Sequence, residues 1–383
     1  MKHKYIARRF WEEAGGLSLN TEALSKYRDI IDLSIGDTDF ITDRAIIDAA
    51  YRDACDGYTH YGDPKGDPEL IAATCQAWQE DFGETIAPNQ VMVTASSCLG
   101  MTLAMMATLN PGDEVIVFAP FFPVYRDQIE HAGGVLVEVP TYAEEGFAIR
   151  KERLEAAITA RTRAIIFNNP SNPTGMGYER ETMEVIASTA IEHDLLVAVD
   201  EIYTSYIYEG EFVPLRTLPG MAERTITLNS FSKNFLMTGW RVGTAIAEPY
   251  MIKTMQRINA SIIYSAPSIS QRAAIQALKM RNEIRETYVT RYRERIFYAC
   301  ERIEQIPYLE LCRPKGTFYL FPSCKKTGMN SVEFCNRLLE EAHVLVSPGS
   351  VFGRSAEGHF RIACTVDIPQ LKEAFDRMEK LSF

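Results

Sequence analysis

No stretch of this 383-residue sequence supplies the roughly 20 consecutive apolar residues that a membrane-spanning helix needs. The nearest approach, Thr85 to Asn110, has no charged residue. It is broken by Pro88, Asn89, Gln90 and the cluster Thr94, Ser96, Ser97, so it reads as a buried strand, a polar turn and a buried helix. A basic excess is missing as well. Forty Lys and Arg stand against 51 Asp and Glu, a net charge of −11, and the footprint that a phosphate backbone requires is absent, so no nucleic-acid partner is expected. None of the eight cysteines forms a CxxC pair or stands beside a histidine at ligand spacing; buried reduced thiols are expected, and a metal site is not. The opening MKHKYIARRFWEE is basic but lacks an apolar core, and Glu12 and Glu13 follow at once. It does not read as a secretory signal, and the expected location is cytoplasmic. Repeats, low-complexity tracts and Pro/Gly/Ser linkers are also wanting.

What is present is an ordinary globular balance, 46% hydrophobic and 24% charged, over a length that suits one large domain and one smaller one. Short apolar runs alternate with helical patterns. Val91–Thr94, Glu114–Phe118, Val135–Val139, Ala164–Phe167, Leu196–Asp200, Thr225–Leu228 and Gly243–Ala247 read as strands, and Leu99–Leu109 and Met183–His193 as helices. The expectation is an α/β fold whose large domain, residues 43–268, has a mostly parallel sheet flanked by helices. After Ser268 helical runs dominate, followed by strand patterns at Thr317–Phe321 and Phe360–Ala363 and a helix near Ser331–Ala342. Residues 269–383 are therefore expected to form a smaller α+β domain, with segment 1–42 packed against it. In open α/β sheets ligands bind beyond the carboxyl ends of the strands. The polar clusters after Thr94, Phe167, Asp200 and Leu228 lie at such ends.

The sharpest cluster is NSFSKNFLMTGWRVG, Asn229–Gly243. Lys233 follows a strand end, with Ser230 and Ser232 before it and Arg241 after it. Two hydroxyls and a guanidinium make a phosphate clamp. A lysine beside them, desolvated and near positive charge, can form an imine with an aldehyde. Phosphate and imine lysine together are what pyridoxal phosphate requires. Asp200 ends the apolar run LVAVD, and a buried acid needs a partner, which the pyridinium nitrogen of that cofactor would be. Tyr203, three residues on, could reach the ring hydroxyl. The loop NNPSNPTG follows another strand end.

These residues resemble the class I/II aminotransferase family of fold-type I pyridoxal-phosphate enzymes, the relatives of aspartate and aromatic aminotransferases. The resemblance runs nearly end to end, through SIGDTDF at Ser34–Phe40, YGDPKG at Tyr61–Gly66, PFFPVY at Pro120–Tyr125, NPSNPTG at Asn169–Gly175, DEIY at Asp200–Tyr203, KGTFYLF at Lys315–Phe321, SPGSVFG at Ser347–Gly353 and FRIA at Phe360–Ala363. It implies that Lys233 is the Schiff-base lysine and proton shuttle, that Asp200 partners the pyridinium, and that Asn172 and Tyr203 bond the ring hydroxyl. It further implies that Phe122 stacks on the ring, while the turn Ser96, Ser97 and Cys98 presents backbone N–H groups to the phosphate together with Ser230, Ser232 and Arg241. Arg361 would fork onto the substrate α-carboxylate, with Asn172 and Gly36 on the same substrate side. A homodimer follows by the same resemblance, with Tyr61 reaching the neighbouring active site, and cis bonds at Ala119–Pro120 and Asn172–Pro173. Singly, each residue has a plainer reading: Phe122 as core, Tyr61 as surface loop, Arg361 as an ion pair.

The sequence departs from the family where Ser96-Ser97-Cys98 replaces a glycine-led turn. Cys98 takes the place of a lysine that holds the distal carboxylate in one aspartate-preferring branch. Leu17–Leu33, with Arg28, lines the substrate side in relatives. The expected reaction carries an amino group from an L-amino acid, neutral or aromatic, to a 2-oxo acid such as 2-oxoglutarate. An aspartate aminotransferase and a carbon–sulfur β-lyase, which the DTDF element resembles faintly, are the alternatives.

Overall fold

The computed structural model describes residues 4–7, 10 and 26–383. A short strand β1 (Ile31–Asp32) precedes helices α1 (Arg44–Cys55) and α2 (Pro68–Phe82). Each helix starts on an aspartate that accepts from a backbone N–H two residues on, Asp43 from Ala45 and Asp67 from Glu69, both at 2.8 Å. From Val91 strands and helices alternate: β2 (Val91–Thr94), α3 (Ser96–Thr108), β3 (Glu114–Ala119), α4 (Val124–His131), β4 (Val135–Pro140), α5 (Lys151–Ala156), β5 (Thr162–Asn168), α6 (Arg180–Glu192), β6 (Leu196–Asp200), β7 (Thr225–Ser230), the one-turn α7 (Phe231–Asn234), β8 (Gly243–Ile246) and α8 (Pro249–Ile262). Each strand pattern read between Val91 and Ala247 is a strand here, with ends shifted by at most two residues. The uncharged stretch Thr85–Asn110 is β2 and α3, and among the described residues no helix is long and apolar enough to cross a membrane.

Strands β2 to β8 form one sheet in the order β2-β8-β7-β6-β5-β3-β4. Only β8 runs antiparallel to its neighbours. Both faces are covered, as the continuous apolar runs require. In β3 the two-residue period sends Val115, Val117 and Ala119 to a layer with Met101 of α3, Ile129 of α4 and Met251 of α8. Ile116 and Phe118 face Leu154 of α5 and Met183 and Ile186 of α6.

Helix α9 (Ser268–Lys279) lays Ala273, Ala274 and Ala277 against Ile46 and Ala50 of α1 and Leu70 of α2. The change of pattern read at Ser268 is thus not a change of packing, because α9 still belongs to the layer over the large sheet. Packing passes to a separate core farther on. There α10 (Arg281–Ile284) continues through a π-helical turn (Arg285–Val289) into α11 (Thr290–Gln305). After it come β9 (Tyr319–Leu320), α12 (Ser331–Arg337) with a π-helical extension (Leu338–Ala342), β10 (Val344–Leu345), β11 (Ser347–Pro348), β12 (Phe360–Ala363) and α13 (Ile368–Glu379). Strand β9 is shorter than the run TFYLF suggests, because Thr317 adopts a left-handed φ of 60° and Pro322 follows Phe321. Tyr292, Phe318, Phe334, Phe360 and Phe375 form this second core together with Ile31 and Leu33. Strand β1 pairs in parallel with β10, Ile31 opposite Val344. Of the stretch 17–33, residues 17–25 lie outside the described residues, and Arg28 is exposed.

All eight cysteines are free. Cys300, Cys324, Cys335 and Cys364 are buried as expected, but Cys55 and Cys98 are exposed, since Cys55 ends a surface helix and Cys98 opens onto a cavity.

Candidate active site

The carboxyl ends of β5, β6 and β7 and the β2–α3 turn meet the second core around a cavity of about 550 Å³. Asp200, the last residue of β6, is buried and lines it. Its Oδ2 accepts a hydrogen bond from Tyr125 Oη at 2.7 Å, while Oδ1 has no partner. Burial raises the Asp200 carboxyl to about 6 even though the Tyr125 bond pulls it down. An orphaned buried carboxylate oxygen facing a cavity asks for a cationic N–H donor.

Lys233 sits in α7, whose start is fixed by Ser230: the Ser230 hydroxyl accepts from Ser232 N at 3.2 Å. Lys233 Nζ lines the cavity and donates to the backbone oxygen of Gly36. Burial lowers its pKa to about 8, with Asp37 opposing and Arg361 and Arg241 adding to the shift. Roughly a tenth of the amine is therefore uncharged, and nucleophilic, at pH 7, against well under a hundredth for an ordinary lysine. Gly36 has to be glycine, because a Cβ there would overlap the Tyr319 hydroxyl.

Arg361, in the middle of β12, is 2% exposed. Its guanidinium donates to Asn172 Oδ1 at 3.0 Å, to Ser34 O at 2.5 Å and to Ser347 Oγ at 3.5 Å, lies over the Tyr319 ring, and leaves Nε without a partner. None of these partners is acidic. A buried guanidinium without a carboxylate is poised for an anion from outside the chain. Arg241 likewise spends its bonds on neutral oxygens, Thr238 O and Ser96 Oγ, both at 2.8 Å. Ser96 holds a left-handed φ of 78°, the conformation for which a glycine-led turn is suited. Strand β8 can come close to this turn because a Cβ on Gly243 would meet Asn229 O at 2.6 Å and Ser97 N at 3.0 Å. Ser96 Oγ, Ser232 and the first N–H groups of the 13-residue α3 thus lie with Arg241 at one end of the cavity.

Of the residues singled out from the sequence, Gly36, Ser96, Ser97, Cys98, Phe122, Asn172, Asp200, Tyr203, Ser232, Lys233, Arg241 and Arg361 all line this cavity. Two do not. The Ser230 hydroxyl is used internally, bonding Ser232 and Val242 O. Tyr61 is 89% exposed and packs edge-on against Tyr264, 5.4 Å between ring centroids. The bonds Ala119–Pro120 and Asn172–Pro173 are cis, as is Asn169–Pro170, which was not anticipated. The sequence reading also missed Tyr125 and Tyr319. Tyr125 holds Asp200, and the Tyr319 hydroxyl is 3.0 Å from that of Tyr203. Both stand in segments already singled out, PFFPVY and KGTFYLF, and Tyr125 lies three residues beyond Phe122 at the start of α4. Among the described residues the one grouping with metal-ligand spacing, Glu155, Glu192 and His193, is exposed and away from the cavity, and Lys151 pairs with both of its carboxylates.

Comparison with known proteins bears on this arrangement. The aminotransferase class I and II family pattern matches residues 28–378. The chain is 39% identical to an aspartate aminotransferase of Pyrococcus abyssi over 92% of each chain. It is 37% identical to aromatic-amino-acid aminotransferase 2 of Thermococcus litoralis over 92% of this chain and 91% of that one. Its fold is similar to that of a Thermus thermophilus aspartate aminotransferase, with a TM-score of 0.93 at 34% identity, covering 99% of this chain and all of the other. A mixed seven-stranded sheet, a lysine at a strand end and a match along nearly the whole chain have one common reading: this protein is an amino-group-transferring enzyme and a member of the class I and II aminotransferase family.

Proposed function

We propose that the protein is a pyridoxal-phosphate-dependent aminotransferase that moves an amino group from an α-amino acid to a 2-oxo acid. The observation that carries this reading is a set of unmatched charges around one cavity: an acid with a free oxygen (Asp200), two guanidiniums without acids (Arg241, Arg361) and an amine with a lowered pKa (Lys233). A phosphorylated pyridinium aldehyde and a substrate carboxylate complement all four. Pyridoxal phosphate, when bound, supplies an aldehyde that condenses with amines and a ring that accepts the electron pair left by a departing Cα proton.

The chain's own residues divide the work. Arg241, Ser96, Ser232 and the N–H groups of Ser97 and Cys98 grip the phosphate. Asp200 keeps the ring nitrogen protonated, with Tyr125 holding the carboxylate in place. Asn172 and Tyr203 donate to the ring oxygen, and Phe122 stacks on the ring face. Arg361 would hold the substrate α-carboxylate and so orient the reacting Cα within the cavity. Lys233 would be the amine that holds the cofactor's aldehyde group. Its amine, with a pKa lowered to about 8, would serve as the base that accepts a substrate Cα proton and as the acid that gives it back. Ser230 belongs to this group only through the helix it caps. A homodimer belongs to the reading: Tyr61, exposed on its own chain, reaches the phosphate of a second copy. The eight free thiols fit a reducing, cytoplasmic setting. The cofactor-binding domain covers residues 43–268 and extends through α9, and the smaller domain follows it.

The test is to load the protein with pyridoxal phosphate, reduce with borohydride and map the modified peptide. Mass addition at Lys233, visible absorbance bleached by amino acids, and at least a roughly 10⁴-fold loss of turnover in a folded Lys233→Ala variant are expected. Label on another lysine, or turnover retained in the variant, rejects the proposal. Ammonia release from sulfur amino acids without an oxo-acid acceptor would favour the β-lyase alternative.

A further inference from the structure

We infer that Gln128 is a positioning residue for the phosphate turn, and that from α4 it sets how tightly the chain holds the phosphate of its cofactor; this rests on the aminotransferase reading above. Gln128 is buried, lines the cavity and donates from Nε2 to Cys98 O at 2.8 Å. Cys98 is the third residue of α3. In a helix the carbonyls lie along the axis, and the N–H groups of the first turn point out of the opposite end without partners. Fixing the Cys98 carbonyl therefore steadies that turn, and with it the direction in which Ser97 and Cys98 offer their N–H groups. Thr102 Oγ1 also donates to Cys98 O, at 3.1 Å, but Thr102 stands on α3 and turns with it. Gln128 reaches the turn from another element.

The turn needs such a brace. Ser96 opens α3 with a φ of 78°, a conformation that residues with a side chain avoid, and a strained start keeps its shape only where the surroundings over-determine it. The bonds that do so run from Thr94 Oγ1 to Ser96 O at 2.9 Å, from Arg241 to Ser96 Oγ at 2.8 Å and from Gln128 to Cys98 O. Thr94 is two residues away on the same stretch of chain, and Arg241 has the phosphate itself to hold on the proposed reading. Gln128 bonds the backbone of the turn from a helix that is pinned elsewhere. One turn earlier Tyr125 donates to Asp200, and Tyr125 and Ile129 pack into the core under the sheet. Tyr125 and Gln128, three residues apart, share a face, so α4 ties the ring acid and the phosphate turn to one rigid element. The amide also carries a cost, because Gln128 Oε1 is buried without a partner among the described residues. An apolar side chain of the same length would fill the place without an unmatched oxygen. The donor is what separates Gln128 from such a filler, and the two roles predict opposite effects of removing it.

The experiment uses the full chain freed of cofactor and titrates it with pyridoxal phosphate, with pyridoxal, which lacks the phosphate, and by calorimetry with inorganic phosphate. Gln128→Met keeps the length of the side chain and removes the donor. It should raise Kd for pyridoxal phosphate and for inorganic phosphate at least about tenfold, while Kd for pyridoxal stays within about twofold of the native value. Its urea midpoint without cofactor should equal or exceed that of the native protein, since the orphaned oxygen goes with the amide. Gln128→Leu, which removes the donor with a different shape, should show the same split between pyridoxal and its phosphate. Phosphate binding within about twofold of native in both variants overturns the inference, and so do equal losses for pyridoxal and pyridoxal phosphate. A fall in the urea midpoint, or a failure of both variants to fold, makes Gln128 a packing residue and overturns it as well. Each of these leaves the aminotransferase reading intact. Native protein that takes up neither pyridoxal compound at Lys233 overturns that reading, and this inference with it.

Discussion

The two walls of the cavity are built on opposite principles. The wall on the large sheet concentrates charge that the fold leaves unmatched: Asp200 with a free oxygen, Arg241 bonded to neutral atoms, Lys233 with a lowered pKa. Apart from Arg361, the described wall on the second core is uncharged: Val332, Cys335, Leu339, Leu345, Val346 and Val351 stand beside the neutral polar Tyr319, Asn336 and Ser347. Asp200, the buried one of the three, costs stability as a carboxylate and is held at a strand end, whereas the uncharged wall costs little. On the proposed reading the first wall carries the chemistry, and the second surrounds the substrate held by Arg361. Substitutions on the two should separate into losses of rate and changes of preference.

The largest contrast is expected at Asp200. Asp200→Asn should lower turnover about 10³-fold, since the ring nitrogen loses its fixed charge. The same change should stabilise the cofactor-free protein. The Asp200 carboxyl titrates near 6 in the fold, above its ordinary value of 3.8. A raised folded pKa contributes stability that is fully present below about 3.8 and is lost as pH rises through about 6, a loss of about 3 kcal/mol. Asparagine has no such loss. Urea unfolding without cofactor should thus show the variant ahead of the native protein above pH 7 and level with it near pH 4. Glu201, which burial raises to about 8, titrates in both proteins and largely cancels in the difference. Parallel pH curves would mean that the charge on Asp200 is already compensated in the unloaded fold, and the contrast between the walls would lose its best example.

Arg361 tests the boundary, because it belongs to the apolar wall by position and to the charged one by chemistry. Arg361→Ala should raise KM for α-amino acids about 100-fold, with a smaller effect on amines that lack the carboxylate. Equal losses for amino acids and simple amines would make Arg361 a structural cation, held by Asn172 and Ser34 for the fold alone.

These two walls were unequally legible in the sequence. The charged one is written in short contiguous strings at strand ends, SFSKNF, DEIY and NPTG, where a polar residue after four apolar ones stands out against the period of the sheet. The strands themselves were recoverable because both faces are buried, so each reads as an unbroken apolar run. The apolar wall gave no such signal. Val332, Cys335 and Leu339 have the spacing of a core-facing stripe, and a sequence cannot say that this face looks onto an empty cavity. Ser230 misled for a related reason: a serine immediately before a one-turn helix serves equally well as an anion donor or as a cap, and only the Ser232 N contact separates them. Tyr125 was hidden as an aromatic on a helix that packs Ile129 into the core.

Tyr125 gives the finest test, because it separates holding the acid from being the acid. Its hydroxyl donates to Asp200 Oδ2 at 2.7 Å and pulls the carboxyl pKa down against the effect of burial. Tyr125→Phe keeps the ring in the layer it shares with Ile129 and Val117 and removes only the donor. The Asp200 pKa should then rise, so that in the cofactor-free protein the pH-dependent fall in stability moves to higher pH. The proposed contact of Asp200 Oδ1 with the ring nitrogen does not involve Tyr125, so the expected loss of turnover is about tenfold or less, with KM nearly unchanged. A loss as deep as that of Asp200→Asn would mean that the carboxylate cannot be aimed without Tyr125, and that the charged wall is a network rather than a set of separate groups. No shift in the pH dependence would mean that desolvation alone fixes the acid, leaving the tyrosine as packing.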